Sequence, residues 1–235
     1  MLDLFLGYFF LFFIYSIIGW ITETTYIAIK YKKWVDRGFL IGPYCPIYGI
    51  GSVVIIFYLT QYKENFLTVF ILGMFICSAL EYFTSYIMEK LFKARWWDYS
   101  DRKFNLNGRI CGFNSLLFGI GSIAIIYIFQ PILELLLLIT NSKILFIINI
   151  TSLIIFAIDT IISFNVAKKF EKTVLNLNIK KDSTIEFSKL VRETIKNNNK
   201  ILQKRLFCAF PNIDFQKIIE LKKELQDDIK DFLRK

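Results

Sequence analysis

The chain has 235 residues, of which 55% are hydrophobic and 17% aromatic, and a formal net charge of +9. An ordinary soluble domain contains about 45 to 50% apolar residues, so this composition excludes a typical soluble enzyme and favours an integral membrane protein. The sequence contains no His, which removes imidazole acid–base catalysis and the common zinc sites with His ligands.

Five segments of the chain are predicted transmembrane helices, since a helix needs about 20 apolar residues to cross a bilayer. They are Leu4 to Ile29, Tyr48 to Leu59, Phe66 to Leu91, Gly112 to Phe129 and Ile144 to Ala167. The second segment is short, and we expect its helix to begin before Tyr48. The first begins beside the acidic Asp3 and is too long for a cleavable signal, so we expect a permanent anchor.

Basic residues alternate between the connections that join these helices. The segments from Lys30 to Arg37 and from Lys90 to Arg109 contain four and six Lys or Arg, whereas Lys63 and Lys143 are alone in the other two connections. Because basic connections remain in the cytoplasm, the pattern predicts a multi-pass cell-membrane protein with its N-terminus outside and its C-terminus inside.

Residues 168–235 differ in character from the transmembrane domain, residues 1–167. This tail contains 17 Lys or Arg against 10 Asp or Glu. The capping-box pair Ser183 and Glu186, and a break at Pro211, predict two amphipathic helices in a cytoplasmic hairpin. Either the two helices pack only on each other, or they also contact anionic lipids or a protein partner. The diluted charge and the lack of a recognition motif argue against nucleic-acid binding.

Two segments that are 70 positions apart resemble each other. Gly38 to Leu59 and Gly108 to Phe129 agree at eight of 22 positions, among them four glycines and one serine. One interpretation is an internal duplication. The alternative is that the glycines only allow helices to pack closely.

Polar residues upstream of these segments favour the duplication. Glu23 lies in the first predicted helix and Glu81 in the third, and Trp-x-Asp sequences follow at Trp34 and Trp96. Each predicted unit is an inward helix bearing a Glu, a basic loop and an outward helix, and the two units are parallel about an axis along the membrane normal. The units cover about residues 4–59 and 66–129, and the fifth helix, residues 144–167, follows them.

Three acidic residues inside predicted helices indicate a polar site. A charged side chain in a bilayer costs about 3 kcal/mol, so such groups usually face the interior of a bundle. Counting from the helix ends places Glu23, Glu81 and Asp159 roughly 10 to 15 Å deep. With nearby loop residues they form a candidate ligand-binding site of Trp20, Glu23, Arg37, Glu81, Glu89, Trp97, Asp98, Asn107, Arg109 and Asp159. The alternative is that Glu and Arg pair to hold the bundle together.

The helix and loop motifs together resemble a known family. The motifs are Gly19-Trp20 with Glu23, Arg37-Gly38-Phe39-Leu40 with Gly42-Pro43, Pro46-Ile47-Tyr48-Gly49, Glu81-Tyr82, Trp96-Trp97-Asp98-Tyr99-Ser100 and Asn107-Gly108-Arg109. Over about residues 15–165 the chain is similar to the CmpB-type ABC-transporter (type IV) membrane protein family. This resemblance implies a small bacterial multispanning protein that acts as a permease-like component. The sequence lacks a Walker A motif, so nucleotide hydrolysis requires a separate ATPase subunit.

Three functions are compatible with the sequence. The first is a membrane component of a transport system, with the lipid bilayer and an ATPase subunit or another membrane protein as partners. The second is a membrane-embedded enzyme for a lipid head group, with Glu81 or Asp159 as general base and Arg37 and Arg109 on the phosphate. The third is a non-catalytic scaffold. No catalytic residue, metal ligand or cofactor is assigned, and the ligand and oligomeric state stay open.

Overall fold

A computed structural model describes residues 2–32, 34–175, 201–210 and 213, and most of these residues are helical. The helices are α1 (Leu2–Tyr31), α2 (Pro46–Leu59), α3 (Phe66–Phe92), α4 (Gly112–Ala124), α5 (Gln130–Ile139), α6 (Ser142–Leu175) and α7 (Ile201–Ala209). A 3-10 turn, Thr60–Tyr62, follows α2, and a π-helical segment, Ile125–Phe129, joins α4 to α5.

Residues at the helix ends account for several of these bounds. Pro46 is the first residue of α2, where its missing N–H leaves no donor unsatisfied. The side chain of Asn65 accepts a hydrogen bond of 3.0 Å from the Thr68 N–H and so caps the start of α3. At the other end of α3, Lys93 has a φ of 54° and turns the chain out of the helix.

Four helical stretches among the described residues are long and apolar enough to cross a membrane. They are Phe5–Lys30, Phe66–Phe92, Gly112–Ile139 and Ser142–Lys169. The multi-pass membrane class predicted from the sequence is therefore confirmed. The predicted second span is the shorter apolar stretch Pro46–Tyr62, which begins before Tyr48 as expected. The last two predicted helices are longer than expected. The fourth, predicted to end at Phe129, continues through α5 to Ile139, and the fifth, predicted to end at Ala167, continues to Leu175.

The outer surface of these helices is apolar. Phe57, Phe75 and Ile147 are exposed over 61%, 62% and 62% of their surface, and many other large apolar side chains are exposed with them. Continuous apolar surface on this scale is rare in soluble monomers. A lipid bilayer is the environment that it fits.

The helices pack mainly as two pairs, α1 with α2 and α3 with α4. Each pair contains a glycine with no room for a side chain. A Cβ on Gly49 would lie 2.4 Å from the Phe12 carbonyl oxygen, and one on Gly119 would lie 2.6 Å from the Phe70 ring. These glycines are 70 positions apart and the two phenylalanines are 58 positions apart, as are Glu23 and Glu81. The two tightly packed glycines are therefore a pair that the sequence alignment matches at an offset of 70.

The connections after α1 and α3 fold back along those helices. Loop 1 (residues 34–45) ends halfway along α1, where the Cys45 N–H donates to the Ser16 carbonyl at 2.8 Å. Loop 2 (residues 93–111) contains an antiparallel pair of short strands, β1 (Asn105–Leu106) and β2 (Ile110–Cys111). It ends halfway along α3, where the Ser78 hydroxyl lies 2.8 Å from that of Ser115 in α4. Both loops therefore lie beside the C-terminal halves of α1 and α3, which bear Glu23 and Glu81.

The tail helix α7 packs against the rest of the described chain. Leu206 is 2% exposed and Ala209 is fully buried. This helix lies within the first of the two predicted tail helices. The second predicted tail helix, apart from Ile213, and the capping-box pair Ser183 and Glu186 lie outside the described residues. The hairpin and the domain boundary at residue 167 therefore stay predictions.

Candidate functional site

Glu23 of α1 is bound by one residue from loop 1 and one from α2. Its carboxylate accepts a hydrogen bond from the Tyr48 hydroxyl, and the Arg37 Nε lies 3.8 Å from its other oxygen. Nearby, the Trp20 indole donates to Asp36 of loop 1 at 2.7 Å. Glu23 and Arg37 therefore contact each other, and Trp20 lies beside them through its bond to Asp36.

Glu81 lies in α3, and its carboxylate is less fully bonded than that of Glu23. The Tyr99 hydroxyl of loop 2 donates to Oε1 at 3.1 Å. Oε2 is buried and has no hydrogen-bond partner among the described residues, although the Asn114 side chain is close enough to interact with the carboxylate. Burial, followed by the charge of Glu81, raises the pKa of Tyr99 far above its usual range. Tyr99 therefore stays a hydrogen-bond donor at neutral pH.

The two loops approach their glutamates through the same local turn. Asp36 accepts a hydrogen bond of 3.1 Å from the N–H two residues later, and Asp98 does the same at the same distance. These are Asx turns, which fix the direction of the chain after the aspartate. In each loop the residue that follows the aspartate, Arg37 or Tyr99, reaches the Glu of the preceding helix.

The two glutamates differ in the charge of their partners, since Glu23 has the Arg37 guanidinium and Glu81 has the neutral Tyr99 hydroxyl. The result is a partly buried polar centre with one charge-paired carboxylate, Glu23, and one, Glu81, that retains an unsatisfied oxygen. We refer to Glu23, Arg37, Tyr48, Glu81 and Tyr99 as the glutamate centre.

Glu89 and Arg109 form a separate, closed ion pair. Their Nη2 to Oε2 distance is 2.7 Å, and Arg95 Nε lies 3.3 Å from the same oxygen. Arg109 also donates to the Ser85 hydroxyl at 3.2 Å and lies over the rings of Tyr82 and Tyr86, 5.7 and 5.4 Å from their centroids. Through these contacts the Arg109 side chain holds loop 2 to α3.

The other predicted residues of loop 2 also hold the loop in place. The Trp97 indole donates to the Arg109 carbonyl at 3.2 Å, and Asp98 lies 3.4 Å from Arg95. The Asn107 amide donates to the Tyr82 hydroxyl at 3.1 Å. These contacts give each of the three side chains a structural role in loop 2.

Asp159 of α6 binds loop 1. Its two oxygens accept the Ile41 and Gly42 N–H groups at 2.9 and 2.7 Å, and the Tyr44 and Ser163 hydroxyls at 2.6 and 2.8 Å. Burial, followed by the hydrogen bond to Asp159, raises the pKa of Tyr44 above its usual range. The Tyr44 hydroxyl therefore remains a hydrogen-bond donor. Asp159 therefore attaches loop 1 to α6.

Arg205 of α7 is a structural residue that the sequence did not indicate. It donates to Asp36 at 2.6 Å and to the Phe39 and Leu40 carbonyls at 3.1 and 2.8 Å. In return, Arg37 donates to the Ala209 carbonyl. No local pattern distinguishes Arg205 among the 17 basic residues of the tail.

Tyr48 and Tyr99 belong to the family-like motifs but were not among the predicted site residues. Tyr48 lies inside the aligned segment that begins at Gly38, and Tyr99 follows the second Trp-x-Asp sequence. Their positions beside repeated motifs were the available signal, because buried carboxylates need hydroxyl or amide donors. In the described part of the chain, no three His, Cys, Asp or Glu side chains gather in a way that fits a metal ion.

The described fold and site define a multi-pass helical membrane protein with a partly buried carboxylate centre. Residues 10–164 match the family model described as "Putative ABC-transporter type IV". The match covers well over half of the chain, so the protein belongs to this family, and the resemblance seen in the sequence motifs is confirmed. No curated protein and no solved structure matches the chain.

Proposed function

We propose that this protein is the permease-like membrane component of a transport system, and that the glutamate centre binds its polar ligand. The family description supports the transport role. One observation carries the site: Oε2 of Glu81 is buried without a hydrogen-bond partner among the described residues. A buried acceptor in this condition costs about 1 to 3 kcal/mol, and a bound ligand that donates a hydrogen bond would recover it.

The chemistry of the centre defines the class of ligand. Two neighbouring carboxylates and only one guanidinium leave the centre acidic, and the two tyrosine hydroxyls already donate to those carboxylates. A ligand with N–H or O–H donors, or with a positive charge, complements it. Transport also requires energy, and in this proposal a separate ATPase subunit supplies it.

The proposed architecture has five membrane crossings and a duplicated two-helix unit. The stretch Pro46–Tyr62 has 17 residues, which at 1.5 Å per residue is about 25 Å, close to the hydrocarbon thickness of about 30 Å. The corresponding Phe–Gly contacts and Asx turns support the duplication. In this arrangement the two glutamates meet where the parallel units face each other.

The geometry argues against Asp159 as the general base, and against Arg109 as the phosphate-binding residue, of an enzyme that acts on a lipid head group. Such an enzyme would need a free base and a free guanidinium. Asp159 already accepts four hydrogen bonds, and Arg109 is bonded to Glu89 and Ser85. Neither residue has a free group to offer a substrate in this conformation.

We expect the α2–α3 connection to lie outside the cell and the tail inside. Cys208 is the exposed one of the four free cysteines, so it can report on the tail, and a Lys63→Cys variant can report on the connection. In intact cells an impermeant maleimide should label the Lys63→Cys variant and leave wild type unlabelled until the membrane is permeabilised. Labelling of wild-type Cys208 in intact cells would contradict this orientation.

Replacing Glu81 by Gln is expected to abolish ligand retention and to change stability by less than about 1 kcal/mol, the scale of a mild substitution. The amide keeps an oxygen for Tyr99 but removes the negative charge. The measurement is untargeted mass spectrometry of metabolites that copurify with the variant and with wild type. Glu64→Gln, at an exposed residue in the α2–α3 connection, is the matched control.

Two outcomes would separate the site from the transport role. Equal metabolite sets in wild type and both variants would reject the glutamate centre as the site. Gentle purification from native membranes should also recover an ATPase subunit with the protein. A ligand that depends on Glu81, found without any ATPase partner, would support the site and reject the ABC-type transport role.

A further inference from the structure

A groove on the surface of the α3–α4 pair lies outside the glutamate centre. It has a volume of about 720 Å³ and is open to the surroundings. This size falls within the range of roughly 300 to 1,000 Å³ that is typical of small-molecule sites. Its apolar walls are Met74 of α3, Phe104 of loop 2, and Phe113 and Leu116 of α4.

The position of this groove determines what surrounds it. The stretches Phe66–Phe92 and Gly112–Ile139, which contain these helices, are both long and apolar enough to cross a membrane. Phe113 and Leu116 are 66% and 51% exposed. In a bilayer these surfaces meet acyl chains. An apolar groove between two spanning helices is therefore filled by lipid unless another molecule displaces it.

Charged residues of loop 2 form the rim of the groove. Asp101, Arg102 and Lys103 line it, and all three are exposed. Among the ion pairs that the structure describes, none involves Arg102 or Lys103. Two cations and one carboxylate give the rim a net charge of +1. Lys and Arg at the edge of a membrane attract anionic lipid head groups.

Phe104 joins the basic rim to the apolar walls. It is 90% exposed and has a φ of 54°, in the left-handed region that non-glycine residues rarely adopt. Its carbonyl accepts the Gly112 N–H at 3.0 Å, which ties this conformation to the start of α4. The Phe104 ring is apolar, so it extends the apolar wall of the groove up to the neighbouring Arg102 and Lys103.

From this arrangement we propose that the groove is a binding site for one anionic glycerophospholipid. One acyl chain lies along Met74, Phe113 and Leu116, and the phosphate lies between Arg102 and Lys103. Asp101 accepts hydrogen bonds from the hydroxyls of a glycerol head group, so phosphatidylglycerol is the preferred probe. This site is separate from the glutamate centre, and its existence does not depend on the transport proposal.

The test uses the full-length protein, delipidated in detergent and then titrated with phosphatidylglycerol that carries a diazirine on one acyl chain. Photocrosslinked peptides are mapped by mass spectrometry, and affinity is measured by competition with unlabelled lipid. The test variant is Arg102→Gln with Lys103→Gln. The control variant, Lys63→Gln with Lys143→Gln, removes the same charge from exposed positions that do not line the groove.

We expect crosslinks to concentrate on Met74 and on residues 112–116, and phosphatidylcholine to compete at least several-fold less well than phosphatidylglycerol. Each basic residue near a membrane surface contributes a few-fold to the attraction of anionic lipid, so the test variant should bind about tenfold more weakly. The control variant should bind like wild type. A third variant, Leu116→Trp, should reduce crosslinking by filling the groove while leaving the rim intact.

Three outcomes would overturn the proposal. Crosslinks spread over all spanning helices would show an ordinary annular lipid shell. Equal losses of lipid affinity in the test and control variants would show that the lipid is attracted by the positive net charge of the whole chain. Equal competition by phosphatidylcholine and phosphatidylglycerol would show that the rim does not select anionic head groups. The altered side chains are exposed, so melting curves of all variants should coincide with that of wild type.

Discussion

Replacing Arg109 by Ala is expected to lower the free energy of unfolding by about 3 kcal/mol. Breaking a buried ion pair by removing one partner usually costs about 3 to 5 kcal/mol, because the other charge remains in the interior. Arg109 and Glu89 are only 7% and 6% exposed, and their charged atoms are 2.7 Å apart. We expect the lower end of the range, since Arg95 would still lie 3.3 Å from Glu89.

Thermal and denaturant unfolding in detergent micelles measure this effect. The matched control is Lys63→Ala, at an exposed cation in another connection, which should change stability by less than about 0.5 kcal/mol. Adding Glu89→Gln to the Arg109→Ala variant should recover part of the loss, because it removes the buried charge. If Arg109→Ala unfolds like the control, Arg109 does not anchor loop 2, and a ligand-binding role for it would return to consideration.

Replacing Asp159 by Ala is expected to cost about 2 to 4 kcal/mol and to release loop 1 from α6. Hydrogen bonds to a charged group contribute about 1.5 to 3 kcal/mol each, and this carboxylate accepts four of them. The expected cost is smaller than the sum of four such bonds, because water can form hydrogen bonds with the groups that the released loop exposes. Because loop 1 also binds α7 through Arg205, the tail helix should loosen at the same time.

Melting temperature and the rate of trypsin cleavage after Arg205, which loop 1 holds in place, report these two effects. Thr160→Ala is the matched control, because the exposed Thr160 hydroxyl bonds only within its own helix, to the Phe156 carbonyl at 2.7 Å. It should leave both measurements close to wild type. A stable, ligand-deficient Asp159→Ala variant would instead place Asp159 with the glutamate centre, as the depth of the three acids first indicated.

Comparison of the Glu81 and Asp159 variants separates two roles that the sequence treats alike. Both residues are acids in apolar helices and both are 8% exposed. Glu81 retains an unsatisfied oxygen, whereas both oxygens of Asp159 are occupied by donors. The depth of a residue along a helix can be counted from the sequence. The donors that surround a carboxylate come from segments distant in sequence, so counting residues cannot identify those donors.

The sequence by itself determined the membrane class, the approximate bounds of α1 and α3, and the family. Hydrophobicity summed over about 20 residues is a local property, so the bilayer selects these helices with little help from tertiary contacts. The pairing of Glu23 with Arg37 was also predictable in outline, because both flank the same connection. The ends of α4, α5 and α6 were less predictable, since no strong stop signal interrupts their apolar sequence.

Only the tertiary structure decided how the loops fold back and which groups meet inside the bundle. Tyr99 reaches Glu81 from 18 positions away, and Arg205 reaches Asp36 from 169 positions away. Helical periodicity states which residues share a face, but it does not state which other face lies opposite. That choice depends on close packing at Gly49 and Gly119 and on the Asx turns in loops 1 and 2. These features orient each loop toward its glutamate, and for this reason the site emerges only when both helix pairs are in place.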